Sequence, residues 1–530
     1  MPSSPGVESN VAGAGRNPAP AAGDAPAVEL VNIDKRFGPV HANRAVSVSV
    51  ARGSIHGIVG ENGAGKSTLM SILYGYYQAD AGEIRLNGRP GRIHSSHDAI
   101  AAGIGMVHQH FMLVDNFSVL ENVMLGIEGG PLLGPAAAAG RAALRQLSDS
   151  YGLAIDPDAI IHDLPVGLQQ RVEILKALHR GADILILDEP TAVLTPQEAD
   201  QLFAMLGRLR AQGKTVILIT HKLREIMAVT DRVTVMRGGA VVATVDTAAT
   251  SREQLAEMMV GRKVLLRVEK PAATLGGIVL GVSHLGVVDG AGVPRVKDVS
   301  FTVRAGEIVG IAGVSGNGQS ELLEALAGMR RYSGDVRLDG NPIAHDHGGI
   351  LARTLRRLHV AHVPEDRQRE GLVGAFAANE SAILGYHDDP GYNGRVLMDR
   401  GKVVNRCRKE MQAYDVRPCN PALRTAAFSG GNQQKIVLAR EIDRSPSLLL
   451  VGQPTRGVDI GAIEFIHRRL LEMRAAGKAI LLVSVELDEI LALSDRILVM
   501  FDGRIVGELP RADATEAKLG LLMAGIEGHA

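Results

Sequence analysis

The chain has 530 residues, 46% hydrophobic and 22% charged, with a formal net charge of -1. That length exceeds what one hydrophobic core usually organises and predicts at least two domains, while the neutral balance excludes a general attraction to nucleic acid. The two cysteines, Cys407 and Cys419, form no C-x-x-C cluster, which argues against a cysteine-rich zinc site or a disulfide scaffold, and no apolar run reaches the roughly 18 to 20 residues of a membrane-spanning helix.

Residues 1–27 are rich in Ala, Gly, Pro and Ser, lack a basic start followed by an apolar core, and read as a disordered tail rather than a secretory signal. The apolar run Ile55-His56-Gly57-Ile58-Val59 predicts a strand. It leads into Gly60-Glu61-Asn62-Gly63-Ala64-Gly65-Lys66-Ser67, which satisfies G-x-x-x-x-G-K-[ST] at every fixed position, and then into a helix through Thr68. Glycines let backbone N–H groups converge on phosphate oxygens, the helix start adds a positive dipole end, Lys66 reaches the β and γ phosphates, and Ser67 offers a Mg²⁺ ligand. The pairs His94/His97 and His108/His110 have no acidic or cysteine set beside them and read as loop or solvated histidines.

The strand-like run Ile184 to Leu187 ends in Asp188 and Glu189, two carboxylates at the edge of a sheet beside that loop. Asp188 is expected to orient Mg²⁺ and Glu189 to polarise the water that attacks the γ-phosphate. Val216 to Ile219 is a further buried strand, followed by His221. A break is expected at residues 263–275, around Lys270-Pro271-Ala272-Ala273.

The pattern then repeats. Gly313-Val314-Ser315-Gly316-Asn317-Gly318-Gln319-Ser320 keeps the glycines and the serine but has Gln319 for lysine, 253 residues after the first loop; Met259-Val260-Gly261 recurs as Met523-Ala524-Gly525, 264 residues on. The stretch Arg353 to Arg357 reads as a helix face. Leu448 to Val451 and Ile480 to Val483 predict buried parallel strands, and the expected fold is a doubly wound α/β core used twice, with its chemistry at the carboxyl ends of the strands.

Leu187-Asp188-Glu189-Pro190-Thr191, the loop around Lys66, and Phe428-Ser429-Gly430-Gly431-Asn432-Gln433-Gln434-Lys435 resemble ATP-binding cassette proteins over nearly everything after the tail. The resemblance implies two tandem P-loop (RecA-like) cassettes, residues 28–262 and 276–530, each with a helical subdomain and an antiparallel β subdomain. It also implies that Gln109 contacts Mg²⁺ and a transmembrane partner, that His221 is the switch histidine near the γ-phosphate, and that Phe37 stacks on adenine. Head-to-tail pairing of the cassettes would then build one ATP site from Lys66, Gln109, Asp188, Glu189 and His221 together with Ser429, Gly430, Gly431, Asn432 and Asp459. The second site is depleted on both faces. Gln319, Gly452, Gln453 and Val485 stand for the lysine, the two acids and the histidine, with Gly313, Gly316, Gly318 and Ser320 left as a phosphate cradle. Opposite them, Leu164-Pro165-Val166-Gly167-Leu168 lacks the signature serine, and Thr195 replaces a D-loop aspartate. This site is expected to bind nucleotide without efficient hydrolysis.

Two cassettes without membrane spans fit two functional classes. A ribosome-associated cassette protein would resemble a chain with two intact acidic pairs and a long charged connector; this one has Gly452-Gln453 and a short linker. Pro454-Thr455-Arg456-Gly457-Val458-Asp459 and the segment around Ser429 instead resemble the simple-sugar and nucleoside importers, and Gly452-Gln453 with Val166 to Lys176 resembles the nucleoside group more than the monosaccharide one. That resemblance implies an ATPase peripheral to the cytoplasmic face of a bacterial inner membrane, with two transmembrane permease subunits, an extracytoplasmic substrate-binding protein and no nucleic acid as partner.

Overall fold

A computed structural model of the chain describes residues 25–526, except 39, 109–110, 128–132, 192–193, 195, 264–269, 273, 315, 344–351, 394–396 and 459. Gln109, Thr195, Asp459 and residues 1–24 of the expected tail lie outside the described residues.

The same pair of sheets is built twice. In the first half, the strand Val28–Phe37 sits between Val40–Val50 and Ala81–Leu86 in a four-stranded antiparallel sheet that ends on Arg89–Pro90. Beside it lies a six-stranded sheet in the order Ala240–Asp246, Arg232–Arg237, Ile55–Gly60, Thr215–Ile219, Ile184–Asp188, Ile104–Val107. All of its pairings are parallel except the outermost Ala240–Asp246 hairpin. In the second half the order is repeated strand for strand, with Ile308–Ala312 in the central place of Ile55–Gly60 and Leu448–Gly452 in that of Ile184–Asp188.

The apolar runs form these strands because both faces of the six-stranded sheet are covered, one by helices and the other by the four-stranded sheet with the helix after the glycine-rich loop. Along Ile184–Asp188 the side chains alternate: Leu185 and Leu187 enter one core, Ile184 and Ile186 the other. Leu449 and Val451 against Leu448 and Leu450 repeat the division in the second half. A helical layer joins each sheet pair, with Val119–Met124, Leu133–Tyr151 and Val166–His179 in the first half, and Arg400–Ala413 and Gly430–Ile442 in the second.

Two expectations about the borders change. Ala27, counted with the tail, is buried and donates its N–H to the Val50 carbonyl at 2.9 Å, because the edge of the first sheet continues that far. Lys270 and Pro271, read as a break, are tied to the second half. The Lys270 ammonium donates to the Ser494 carbonyl at 2.6 Å and lies 3.2 Å from Asp495, while Arg474 donates to the Pro271 carbonyl at 3.0 Å.

The halves also touch one another. Helix Arg252–Val260 packs on Ile460–Ala475, and Pro196–Ala211 packs on Glu516–Met523. Ile460 joins a hydrophobic core of the first half.

Candidate functional site

The loop after Ile55–Gly60 runs into the helix Lys66–Leu73, whose first turn has no side-chain cap. Its free N–H groups therefore face the space above the sheet edge, the arrangement that receives phosphate. Gly65 precedes the helix at φ 94, and a Cβ there would meet the Ala42 carbonyl oxygen at 2.2 Å, so both conformation and space demand glycine. Asn43 holds the turn by donating to the Gly65 carbonyl at 3.1 Å. Phe37, in the first antiparallel sheet, is 41% exposed and meets Tyr77 edge-on with centroids 5.1 Å apart.

Lys66 is only 6% exposed, and its ammonium folds back onto the Gly60 and Glu61 carbonyls at 2.7 and 3.0 Å. Burial lowers its pKa, opposed by the charges of Glu189, Asp188 and Glu61. Asp188 closes its strand and moves the other way: burial and the Glu189 charge raise its pKa against a hydrogen bond from Ser67 and the charge of Lys66. The Ser67 hydroxyl and the Asp188 carboxyl thus meet where hard oxygen ligands are needed, and the donor set fits Mg²⁺.

Glu189 adopts φ 48, rare for a side-chain-bearing residue, with its N–H held by the Ile219 carbonyl at 2.8 Å. This kink turns the carboxylate out of the strand line and onto His221 Nδ1, 2.8 Å away. Burial alone would raise the Glu189 pKa. The His221 hydrogen bond and charge, with Lys66 and Lys222, outweigh it and hold the carboxyl below its ordinary value. An ionised carboxylate oriented by a histidine is the arrangement that can accept a proton from an attacking water.

The second half repeats the backbone and replaces the chemistry. Gly318 has φ 98 ahead of the helix Gln319–Leu326, again without a side-chain cap, and Gln319 is buried as Lys66 is. Gln453 has φ 44 and donates its N–H to the Val483 carbonyl at 2.8 Å, the counterparts of φ 48 and Ile219 at Glu189. Its amide oxygen accepts from the Val485 N–H at 3.3 Å, a neutral bond in place of the carboxylate–histidine pair. At Gly452, a Cβ would stand 2.7 Å from Leu323 Cδ2 and 3.0 Å from the Glu365 nitrogen, so the space of an aspartate side chain is filled.

Glu365, expected with Gln109 from the sequence as a surface that passes movement to membrane partners, also takes part in this site, which the sequence reading did not foresee. Its carboxylate accepts a hydrogen bond from Ser320 and lies 3.4 Å from Arg456. Its position matches that of Gln109 in the repeat.

The signature segments are contrasted in the opposite sense. Ser429 is the N-cap of Gly430–Ile442 and accepts from the Asn432 amide group at 2.9 Å, with Gly431 buried behind it; Pro165 starts the matching helix Val166–His179 without a side-chain cap. Gly430 is closed in by Arg367 and the Gly457 carbonyl, which a Cβ would meet at 2.5 and 2.8 Å.

Comparison with known proteins agrees with this geometry. The ABC transporter family model matches residues 43–192 and again 296–456. A guanosine import ATP-binding protein of Bacillus subtilis (NupO) is 48% identical over 500 residues, covering 94% of this chain and 97% of the relative. A nucleoside import ATP-binding protein of Lactococcus lactis (NupA) is 46% identical over 499 residues, covering 94% and 98%. A glucose import ATP-binding protein of Haloferax volcanii (TsgD13) is 46% identical over 531 residues, covering 94% and 96%. With the phosphate loop, the acidic strand end and the serine-capped signature helix each in place, the chain belongs to the ABC transporter family and carries the family's cassette twice.

Proposed function

We propose that the chain is the ATP-hydrolysing subunit of a nucleoside importer, with one hydrolytic and one degenerate nucleotide site, each composed across its two cassettes. The observation that carries this reading is the sorting of groups on matched backbones. Lys66, Asp188, Glu189 and the His221 pair at 2.8 Å belong to the first half, while the serine-capped signature belongs to the second. A complete set arises only when the first phosphate loop faces Ser429, Gly430, Gly431 and Asn432. Gln109, Asp459 and Phe37 complete the proposed set; we take residues 28–262, extended by Ala27, and 276–530 as the two cassettes and 263–275 as a connector whose Lys270 and Pro271 are held against the second cassette.

In the working site, Lys66 and the N–H groups of the first helix turn hold the phosphates, and Ser429 with its glycine amides closes them from the other side. Glu189, kept ionised and oriented by His221, accepts the proton of the attacking water. Mg²⁺, held by Ser67 and Asp188, would neutralise charge on the phosphate oxygens. At the second site Gly313, Gly316, Gly318 and Ser320 retain the cradle, Glu365 supplies a carboxylate next to Ser320, and Gln453 cannot act as an ionised base. That site binds nucleotide and does not turn it over efficiently.

Transport requires permease subunits, because no helix among the described residues is long and apolar enough to cross a membrane. A cleft of about 200 Å³ lined by Tyr74, Tyr76, His108, Met112, Glu173 and Lys176 mixes aromatic and charged groups and suits an amphipathic segment of such a partner. Closure couples to transport only because ATP binds the closed arrangement better than the open one. The subunit works at the cytoplasmic face of the membrane, with an extracytoplasmic substrate-binding protein delivering the cargo.

Nucleotide stoichiometry at saturating ATP in a Glu189→Gln protein tests the two-site reading: two per chain are expected, and one would overturn binding at the degenerate site. Uptake of labelled nucleosides against pentoses and glucose tests the cargo. The guanosine and nucleoside import relatives support nucleosides, and preferential glucose uptake would reassign it.

A further inference from the structure

The contact between the halves has the geometry of a two-fold pair and the charges of two unlike partners. Residues related by the 264-residue repeat meet across it. Lys222 pairs with Glu486, its own counterpart, at 2.9 Å. Arg224 pairs with Glu516 at 2.5 Å and Arg252 with Asp488 at 3.6 Å; Asp488 is the counterpart of Arg224 and Glu516 that of Arg252. Position i of one half therefore meets position j of the other, and j meets i, as in an isologous dimer. The packed helices obey the same exchange, since Arg252–Val260 on Ile460–Ala475 is the repeat image of Glu516–Met523 on Pro196–Ala211. At all three pairs of equivalent positions, however, the first half is basic and the second acidic.

We propose that this face is a mating code that joins a first cassette only to a second cassette and refuses two of a kind. Two first halves docked by the same symmetry would set Lys222 against Lys222 and Arg224 against Arg252 twice. Two second halves would set Glu486 against Glu486 and Asp488 against Glu516 twice. Exposed ion pairs contribute little attraction each, so discrimination comes chiefly from these repulsions in the wrong pairing. The exposed Glu253, Glu257 and Lys518, on the Arg252–Val260 and Glu516–Met523 helices, carry the opposite signs and lie outside these three pairs. A fourth contact has the same polarity, with Arg262 2.9 Å from Glu464.

The consequence rests on the composite-site reading above. A pair of first halves would offer the Lys66 loop only the uncapped segment at Pro165, and a pair of second halves would offer Ser429 only the Gln319 loop. Neither holds a full set. The connector raises the local concentration of the correct mate, and the charges exclude first-with-first and second-with-second pairings between neighbouring chains crowded on one surface.

Full-length chains test this with two double variants. Arg224→Glu with Arg252→Glu makes both faces acidic, and Asp488→Arg with Glu516→Arg makes both basic. Light scattering at low salt is expected to show a mixed species of about twice the chain mass when the two are combined, absent from either alone and dissolved at about 1 M salt, where the Debye length is about 3 Å. A mixture that keeps the mass of the separate variants overturns the proposal. The fourfold swap, carrying all these substitutions, is expected to recover ATPase to within about twofold of the parent while each double variant falls at least about tenfold; a swap as impaired as the doubles also overturns it. Circular dichroism melting confirms that each variant folds. If mass doubling occurs while Ser429→Ala leaves ATPase unchanged, the code stands and the composite-site reading fails.

Discussion

The two phosphate-loop sites of this chain share a backbone and differ in chemistry. Glu189 and Gln453 occupy the same left-handed conformation, at φ 48 and φ 44, and hang from equivalent carbonyls by hydrogen bonds of 2.8 Å. Gly65 and Gly318 turn into uncapped helices at φ 94 and φ 98. Backbone strain at a non-glycine residue costs on the order of 1–3 kcal/mol and persists only where the surroundings enforce it. That the kink survives at Gln453, where no carboxylate needs aiming, shows that it is set by the sheet edge and not by catalysis. Proton-accepting chemistry can thus be removed from this scaffold while its folding geometry stays.

The largest expected effect breaks that equivalence. Glu189→Gln should lower steady-state ATPase by about 10²–10⁴, the usual contribution of a general base, and leave ATP bound; Gln453→Ala should change it by less than about twofold. Equal losses would erase the assigned asymmetry. The glycines come next. A methyl at Gly65 would meet the Ala42 carbonyl at 2.2 Å and one at Gly318 the Arg295 carbonyl at 2.3 Å, so each substitution should displace its own loop. Gly65→Ala is expected to lower ATP affinity at the hydrolytic site at least about tenfold, in the range a lost anion cradle implies. Gly318→Ala should reduce nucleotide stoichiometry while retaining most turnover.

Much of this comparison was legible in the sequence. The central strands were readable because runs such as Ile184 to Leu187 are apolar on both faces, and the loops because their glycines are spaced for φ values that other residues avoid. The replacements at Gln319, Gly452, Gln453 and Val485 followed from counting along the repeat. Glu365 was harder, since its role comes from a contact with Ser320 that no local pattern announces. The ion pairs between halves were harder still: Arg252 and Asp488 are joined only by tertiary packing, and each alone reads as an ordinary solvated charge. Lys270 likewise looked like linker until Asp495 and Ser494 gave its ammonium partners.

A smaller effect concerns the signatures. A hydrogen bond to a charged group contributes about 1.5–3 kcal/mol, so Ser429→Ala should lower turnover by roughly 10- to 150-fold if its hydroxyl serves the Lys66 site. Pro165→Ser should restore nothing, because the site it faces lacks a base. An activity gain in Pro165→Ser would show that the second loop is competent after all.

The finest distinction lies in the pH profile. Glu189 must be ionised to accept a proton, so activity is lost as pH falls through its pKa in the folded protein. Burial pushes that pKa up, but the His221 hydrogen bond and charge, with Lys66 and Lys222, hold it below the ordinary value. His221→Asn removes the largest of these opposing influences, so burial gains weight and the pKa rises. The acid limb of the ATPase profile should therefore move to higher pH, with the plateau rate reduced as the carboxylate loses its orienting partner. In the second half Val485 stands at the histidine position and Gln453 does not titrate, so Val485→Asn should leave the acid limb where it is. An unmoved limb in His221→Asn would mean that the histidine orients Glu189 without tuning it, and the 2.8 Å contact would then be a positioning bond alone.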